Sequence, residues 1–207
     1  MAYGCACTRA EIAAVARPGI DGRVYPGVCR NGIAAGRIAR SWRLRVPEGT
    51  VELADECFGR LAQNVAQEVG DFVLKRADGL FAYQLAVVVD DAEQGINRVV
   101  RGADLLDSSQ RQILLQRLLG VPVPAYLHVP AAVDASGAKL SKQTLARPLE
   151  DGRPGPALLA ALEFLHQSPP AALAKAPAAE IIAWALAHWR ADALPRCRTL
   201  CAPAQFR

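Results

Sequence analysis

Aromatic residues make up only 6% of this 207-residue chain, and it holds one methionine and three histidines. Its 52% hydrophobic content therefore comes largely from Ala, Leu and Val, enough for one domain of ordinary size with a small appendage. No uninterrupted run of about 18 apolar residues occurs, which excludes an ordinary helical membrane span. The opening residues Met-Ala-Tyr-Gly-Cys-Ala-Cys-Thr-Arg lack the apolar stretch of a secretory leader. The expected address is the cytoplasm. Neither sign of charge is in large excess: the formal net charge is +4, with arginine the main cation. That is compatible with a nucleic-acid partner and does not demand one.

What the chain does have is six cysteines in three places: Cys5, Cys7 and Cys29; Cys57; and Cys197 with Cys201. In a cytoplasmic chain, clustered cysteines are metal ligands more often than disulfides. Residues 1–30 read as a small module around one helix, started by the capping box Thr8 and Glu11. Pro18, Gly19, Asp21 and Gly22 read as a closing loop. Between 41 and 75 the alternation of Ser-Trp-Arg-Leu-Arg-Val-Pro, Val-Glu-Leu-Ala-Asp and Asp-Phe-Val-Leu-Lys-Arg predicts strands. Residues 82–91 fit a buried strand or a buried helix, and their β-branched content favours the strand. A strand over 96–101 is followed by a helix capped by Ser108 or Ser109 and stopped by Gly120. Beyond Pro154 lie two or three Ala/Leu-rich helices, separated by Pro169-Pro170 and Pro177.

Three groups of residues carry chemistry. Cys5, Cys7 and Cys29 supply soft thiolates suited to zinc, and a tetrahedral site needs a fourth donor. No histidine lies nearby in sequence, and Tyr25 would be an unusual oxygen donor. The competing reading is three idle thiols. Gly-Ala-Lys-Leu-Ser-Lys-Gln at 137–143 can set the ammonium groups of Lys139 and Lys142 on one triphosphate, where they meet charge developing on pyrophosphate. The same string also fits a solvated basic turn. Arg101 ends a strand and precedes a helix, a place suited to an anionic ligand. Its fork can clamp a carboxylate, or it can pair with Asp104 or Asp107 for structure. His128 reads as a core residue, Asp90-Asp91 as solvated carboxylates, and Cys197 with Cys201 as inert thiols.

Taken together, Phe-Ala-Tyr-Gln-Leu-Ala-Val-Val-Val-Asp-Asp through Arg101 to Gln112, then Pro-Ala-Tyr-Leu-His-Val-Pro and Lys-Leu-Ser-Lys-Gln, are far more specific than any one piece. This register resembles the glutamyl branch of the class I aminoacyl-tRNA synthetases, and within it the shortened glutamyl-queuosine tRNA(Asp) synthetase family. Ala-Tyr-Gly-Cys-Ala-Cys-Thr-Arg with Tyr-Pro-Gly-Val-Cys-Arg looks like that family's zinc element.

The resemblance implies an α/β fold: the second half of a class I synthetase Rossmann-type catalytic domain, with a small zinc-binding insertion and a helical C-terminal tail. The expected division is a zinc element at 1–40, the catalytic half at 41–150 with the signature loop at 139–143, and the tail at 151–207. It implies zinc on Cys5, Cys7, Tyr25 and Cys29, and glutamate on Tyr83 and Arg101. Lys142 would contact ATP, with Lys139 and Ser141 beside it in the catalytic loop. The implied reaction is activation of glutamate by ATP, with magnesium, and its transfer to queuosine in tRNA(Asp). The resemblance also makes residues 83–91 helical. No His-x-Gly-His string occurs in these 207 residues. The chain is therefore expected to be truncated before its nucleotide loop, or to work with a separate N-terminal half. The alternative is a catalytically inactive, zinc-stabilised tRNA-binding fragment.

Overall fold

The computed structural model describes residues 1–141, 146, 148 and 152–206, apart from the side chain of Gln205. Lys142 and Gln143 of the signature loop lie outside the described residues. The chain divides into two compact units. The first is Met1–Ala54 with Arg60–Val99 and Asp107–Ala125; the second is Asp55–Gly59 with Val100–Leu106 and Tyr126–Arg207.

In chain order the strands and helices begin with β1 (Ala2–Cys5), α1 (Arg9–Val15), β2 (Arg17–Gly19) and β3 (Gly22–Val24). Next come β4 (Ser41–Leu44), β5 (Val51–Asp55), β6 (Gly59–Gln63), α2 (Val65–Glu68) and β7 (Val73–Lys75). They continue with α3 (Tyr83–Glu93), β8 (Arg98–Gly102), α4 (Ser109–Leu119), β9 (Ala125–Val129) and β10 (Ala131–Val133). The last are α5 (Pro154–Phe164), α6 (Ala178–His188) and β11 (Thr199–Cys201). Strands β5, β6, β8 and β9 pair in the order β6-β5-β9-β8.

Within the first unit, β1, β4 and β7 form an antiparallel sheet that sets Cys5 opposite Ser41. Helix α1 starts where the capping box predicts: the Thr8 hydroxyl accepts from the Glu11 N–H at 3.2 Å, and Glu11 accepts from the Thr8 N–H at 2.6 Å. The stretch expected as a loop is instead a two-residue hairpin, with Gly19 opposite Gly22 and Gly22 at φ +95°. Gly22, directly after the Ile20-Asp21 turn, takes that positive φ without the steric penalty a side chain would meet.

Residues 83–93 form a helix, not the strand that their β-branched content favours. Gln84, Leu85, Val88, Asp91 and Ala92 share the less exposed face, and Tyr83, Val89, Asp90 and Glu93 are exposed. That 3.6-residue period sets the conformation, because one-sided burial outweighs the small helix penalty of three valines. Gln84 fixes this helix to α4: its amide donates to the Ser108 Oγ at 3.0 Å and accepts from the Gln112 Nε2 at 2.9 Å. Ser108 occupies the first position before α4, yet its hydroxyl is engaged by Gln84 and Arg111 and does not cap the helix. Gly120 ends α4 in the left-handed conformation, φ +69°.

In the second unit, Asp55 pairs with Tyr126 in parallel register. Helices α5 and α6 lie where the proline punctuation places them, and bury Leu162, Leu173 and Ile181 together. The tail is not wholly helical, since β11 runs parallel to β10 with Val133 opposite Cys201. Cys197 and Cys201 therefore lie in non-helical chain and do not share a helical face. Ile181 is 1% exposed. Ile181→Ala should lower unfolding stability by about 2–5 kcal/mol, read from chemical denaturation.

Candidate functional site

Two centres gather the residues with chemistry. In the first unit, the end of β1, the turn after it and the loop after β3 bring Cys5, Cys7 and Cys29 together, their sulfurs within 4.8 Å of one another. Cys7 Sγ and Cys29 Sγ are 3.6 Å apart. The Tyr25 hydroxyl lies 3.4 Å from Cys5 Sγ and 3.5 Å from Cys7 Sγ. It also accepts the Cys29 backbone N–H at 2.8 Å. A tetrahedral zinc ion with Zn–S of about 2.3 Å and Zn–O of about 2.0 Å separates sulfurs by about 3.8 Å, and sulfur from oxygen by about 3.5 Å. The Cys7–Cys29 separation and the two distances from the Tyr25 hydroxyl are close to those values, and the three sulfurs lie within 4.8 Å of one another; four protein donors would leave such an ion no open position for catalysis.

The surroundings hold this set rigidly. The Arg43 guanidinium lies 3.9 Å over the Tyr25 ring and donates to the Asp71 carbonyl at 2.8 Å. The buried Asp71 carboxylate accepts from Tyr3 Oη at 2.6 Å and from the Val46 N–H at 2.8 Å. Gly70, at φ +75°, passes so close to Tyr25 that a Cβ there would meet the Tyr25 carbonyl at 3.1 Å and Val24 at 2.8 Å. Burial pushes the Cys5 thiol up, but hydrogen bonds with Tyr25 and Arg43 outweigh it and bring the thiol down to about 7. Burial raises Cys7 to about 11, and burial with the two cysteine contacts raises Tyr25. A cation seated among these groups would relieve the cost of ionising all of them.

The second centre belongs to the second unit. Arg101, near the end of β8, donates its Nε–H to His128 Nε2 at 3.0 Å, and its Nη2 reaches the Leu105 carbonyl at 3.4 Å. His128 Nδ1 lies 2.6 Å from Asp55 Oδ2, with both side chains fully buried. Asp55 Oδ1 in turn accepts from the backbone N–H groups of Cys57 at 3.0 Å and Phe58 at 2.9 Å. Burial pushes His128 down as an acid, against the pull of Asp55. The Arg101 guanidinium also stands 5.5 Å from the Tyr126 ring centre, and that ring is parallel to His128 within 8°. Asp104, a partner weighed for Arg101, forms an ion pair with Lys139. Lys139 follows a loop tied by Asp134, which accepts from the Ser136 N–H, Ser136 Oγ and the Ala138 N–H.

Residues 28–153 match the catalytic domain of class I tRNA synthetases for glutamate and glutamine. Over 98% of its length the chain is 56% identical to the glutamyl-Q tRNA(Asp) synthetase of Dechloromonas aromatica, covering 68% of that relative. It is 52% identical to the enzyme of the same name from Thiobacillus denitrificans, covering 67% of it. The chain belongs to the glutamyl-Q tRNA(Asp) synthetase family. The glutamate-tRNA synthetase structure from Elizabethkingia anophelis has the same fold: TM-score 0.70 at 18% identity, over 99% of this chain and 48% of that one. The chain therefore spans about two thirds of those curated relatives and about half of that solved structure.

Of the residues expected from the glutamyl-Q tRNA(Asp) synthetase resemblance, Cys5, Cys7, Tyr25 and Cys29 converge in one cluster. Tyr83 opens α3 and is half exposed, in the first unit. Arg101, Lys139 and Ser141 belong to the second. His128, read as a core residue, is fully buried as expected, but its pairing with Asp55 and Arg101 was not foreseen. The available signal was a histidine in the apolar strand Ala125–Val129, where a buried polar ring requires partners.

Proposed function

We propose that this chain carries part of the site at which glutamate is activated by ATP and then transferred to queuosine in tRNA(Asp). The observation that carries the reading is Arg101, an arginine held in a buried polar network at the end of a strand, in a chain of the glutamyl-Q tRNA(Asp) synthetase family. Arg101 clamps a glutamate carboxylate through its planar fork, and Tyr83 is the second glutamate-binding residue. Lys139, Ser141 and Lys142 form the loop that meets the triphosphate, with Lys142 as the ATP contact. Lys139 exchanges its exposed Asp104 partner for phosphate at little cost, because exposed ion pairs contribute little.

Zinc is held by Cys5, Cys7, Tyr25 and Cys29, in keeping with their donor spacing. It supplies structure: it cross-links the turn after β1 to the loop after β3 in a segment whose buried cluster is small. An RNA partner is supported by charge distribution. Residues 1–46 contain eight arginines, no lysine and two acidic residues, so the excess positive charge of the chain is concentrated there. Such a segment neutralises backbone phosphates and makes binding salt-dependent.

The test is glutamate-dependent ATP–pyrophosphate exchange by the full-length protein that contains these 207 residues. Exchange with glutamate and none with glutamine or aspartate is the expected result. Absence of exchange with glutamate, in folded protein with magnesium present, would refute the reading.

A further inference from the structure

We propose that the buried Asp55–His128 pair is the positioning device for Arg101, presenting its guanidinium to the substrate carboxylate in one fixed plane. The proposal rests on the reading that Arg101 binds that carboxylate, and it assigns roles to two residues outside the expected ligand set. Three observations carry it. First, the hydrogen-bond pattern permits only one form of His128. Arg101 Nε can only donate, so His128 Nε2 must accept, and the ring proton must sit on Nδ1 and point to Asp55. A protonated imidazole would set an N–H against an N–H, beside a permanent cation.

Second, Asp55 is itself fixed from the backbone. Its Oδ1 takes the N–H groups of Cys57 and Phe58, leaving Oδ2 directed at the ring. The chain of orientation thus runs from main chain to carboxylate, imidazole and guanidinium. Third, two further groups of the same unit meet the guanidinium. Nε–H is committed to His128 and Nη2 reaches the Leu105 carbonyl, while the Tyr126 ring flanks the guanidinium 5.5 Å away. An arginine side chain has four rotatable bonds and loses rotamer freedom when it is fixed. Fixing it before substrate arrives removes that cost from binding, as preorganised sites do.

A polar network of this kind also satisfies buried groups, so the test must separate orientation from stability. Two variants do so in the full-length enzyme. Asn places an amide N–H where Nδ1 was and keeps the bond to Asp55, but offers nothing at the Nε2 position. Gln places an amide oxygen near the Nε2 position and keeps an acceptor for Arg101. His128→Asn is expected to raise the KM for glutamate about 10- to 100-fold with the KM for ATP unchanged, and His128→Gln to restore it to within about threefold. Equal glutamate KM values in both variants and the parent, whatever their melting temperatures, would overturn the proposal.

A measurement on the unmodified protein reads the tautomer directly. By NMR of the ¹⁵N-labelled protein, the His128 imidazole is the signal that disappears in His128→Gln. That ring must be neutral at pH 7 with its proton on Nδ1; a proton on Nε2 of His128 would overturn the proposal. Arg101→Lys separates this failure from failure of the reading beneath it. If Arg101→Lys leaves the glutamate KM unchanged, Arg101 is not the carboxylate clamp and both fall. If it raises that KM and His128→Asn does not, only the positioning role falls.

Discussion

Cys29→Ser is expected to lose zinc and to melt well below the parent protein. Four donors at tetrahedral spacing bind a structural zinc with an apparent free energy of about 10–16 kcal/mol at neutral pH. With zinc at about 1,000 times its dissociation constant, the folded state gains about 4 kcal/mol by mass action. For a chain of this size that corresponds to about 8–16 °C in melting temperature. Loss of protection from hydrogen exchange should be concentrated in residues 1–46, where the cysteine cluster is the main buried apolar group beside Ile12 and Ile33. Tyr25→Phe keeps the ring under Arg43 and removes only the oxygen. It should weaken zinc by at least about 100-fold, since even outer-shell partners contribute 10- to 100-fold. Zinc content is read by metal analysis after dialysis. A variant that keeps a full equivalent of zinc removes its residue from the ligand set.

Arg101→Ala should cost the largest fraction of activity of any single change outside the triphosphate loop. Truncating a partner of a desolvated, hydrogen-bonded charge pair costs about 2–5 kcal/mol. At 1.4 kcal/mol per factor of ten, kcat/KM for glutamate falls by about 30- to 3,000-fold. With Arg101 as the proposed glutamate clamp, the KM for ATP should stay within about threefold. The variant also removes the donor to His128 Nε2 and leaves that buried acceptor without its arginine. Steady-state kinetics in which glutamate and ATP are varied separately read both effects.

Local signals in the sequence were read well where they are local in the structure. The capping box at Thr8 and Glu11, the stop at Gly120 and the prolines at 169, 170 and 177 each act within one turn of chain, and each lies where expected. At 82–91 β-branched content favours a strand and the family resemblance implies a helix; burial on one face decides for the helix. The hairpin at 17–24 was hidden because three-residue strands are too short to show alternation. Cys5 and Cys7 announced themselves by their spacing. Tyr25, an unusual donor on chemical grounds, was legible only through the family resemblance, because only the fold carries its hydroxyl to the sulfurs.

The Asp55–His128 pair was illegible for a related reason. The two residues are 73 apart in sequence, and parallel pairing at Asp55 and Tyr126 brings them together. A single sequence shows which strands exist but not which ones pair. Strand β11 is hidden for the reason that hides the hairpin at 17–24: it is three residues long, and its partner β10 precedes it by more than 60 residues.

The proposed acceptor of the glutamate is queuosine in tRNA(Asp). Incubating the full-length enzyme with labelled glutamate, ATP and two preparations of tRNA(Asp), one with queuosine and one with unmodified guanosine at that position, tests it directly. Label should enter the queuosine-containing tRNA and not the unmodified one. Equal labelling of both, or of neither while glutamate-dependent ATP–pyrophosphate exchange proceeds, would contradict the assignment of queuosine as the acceptor.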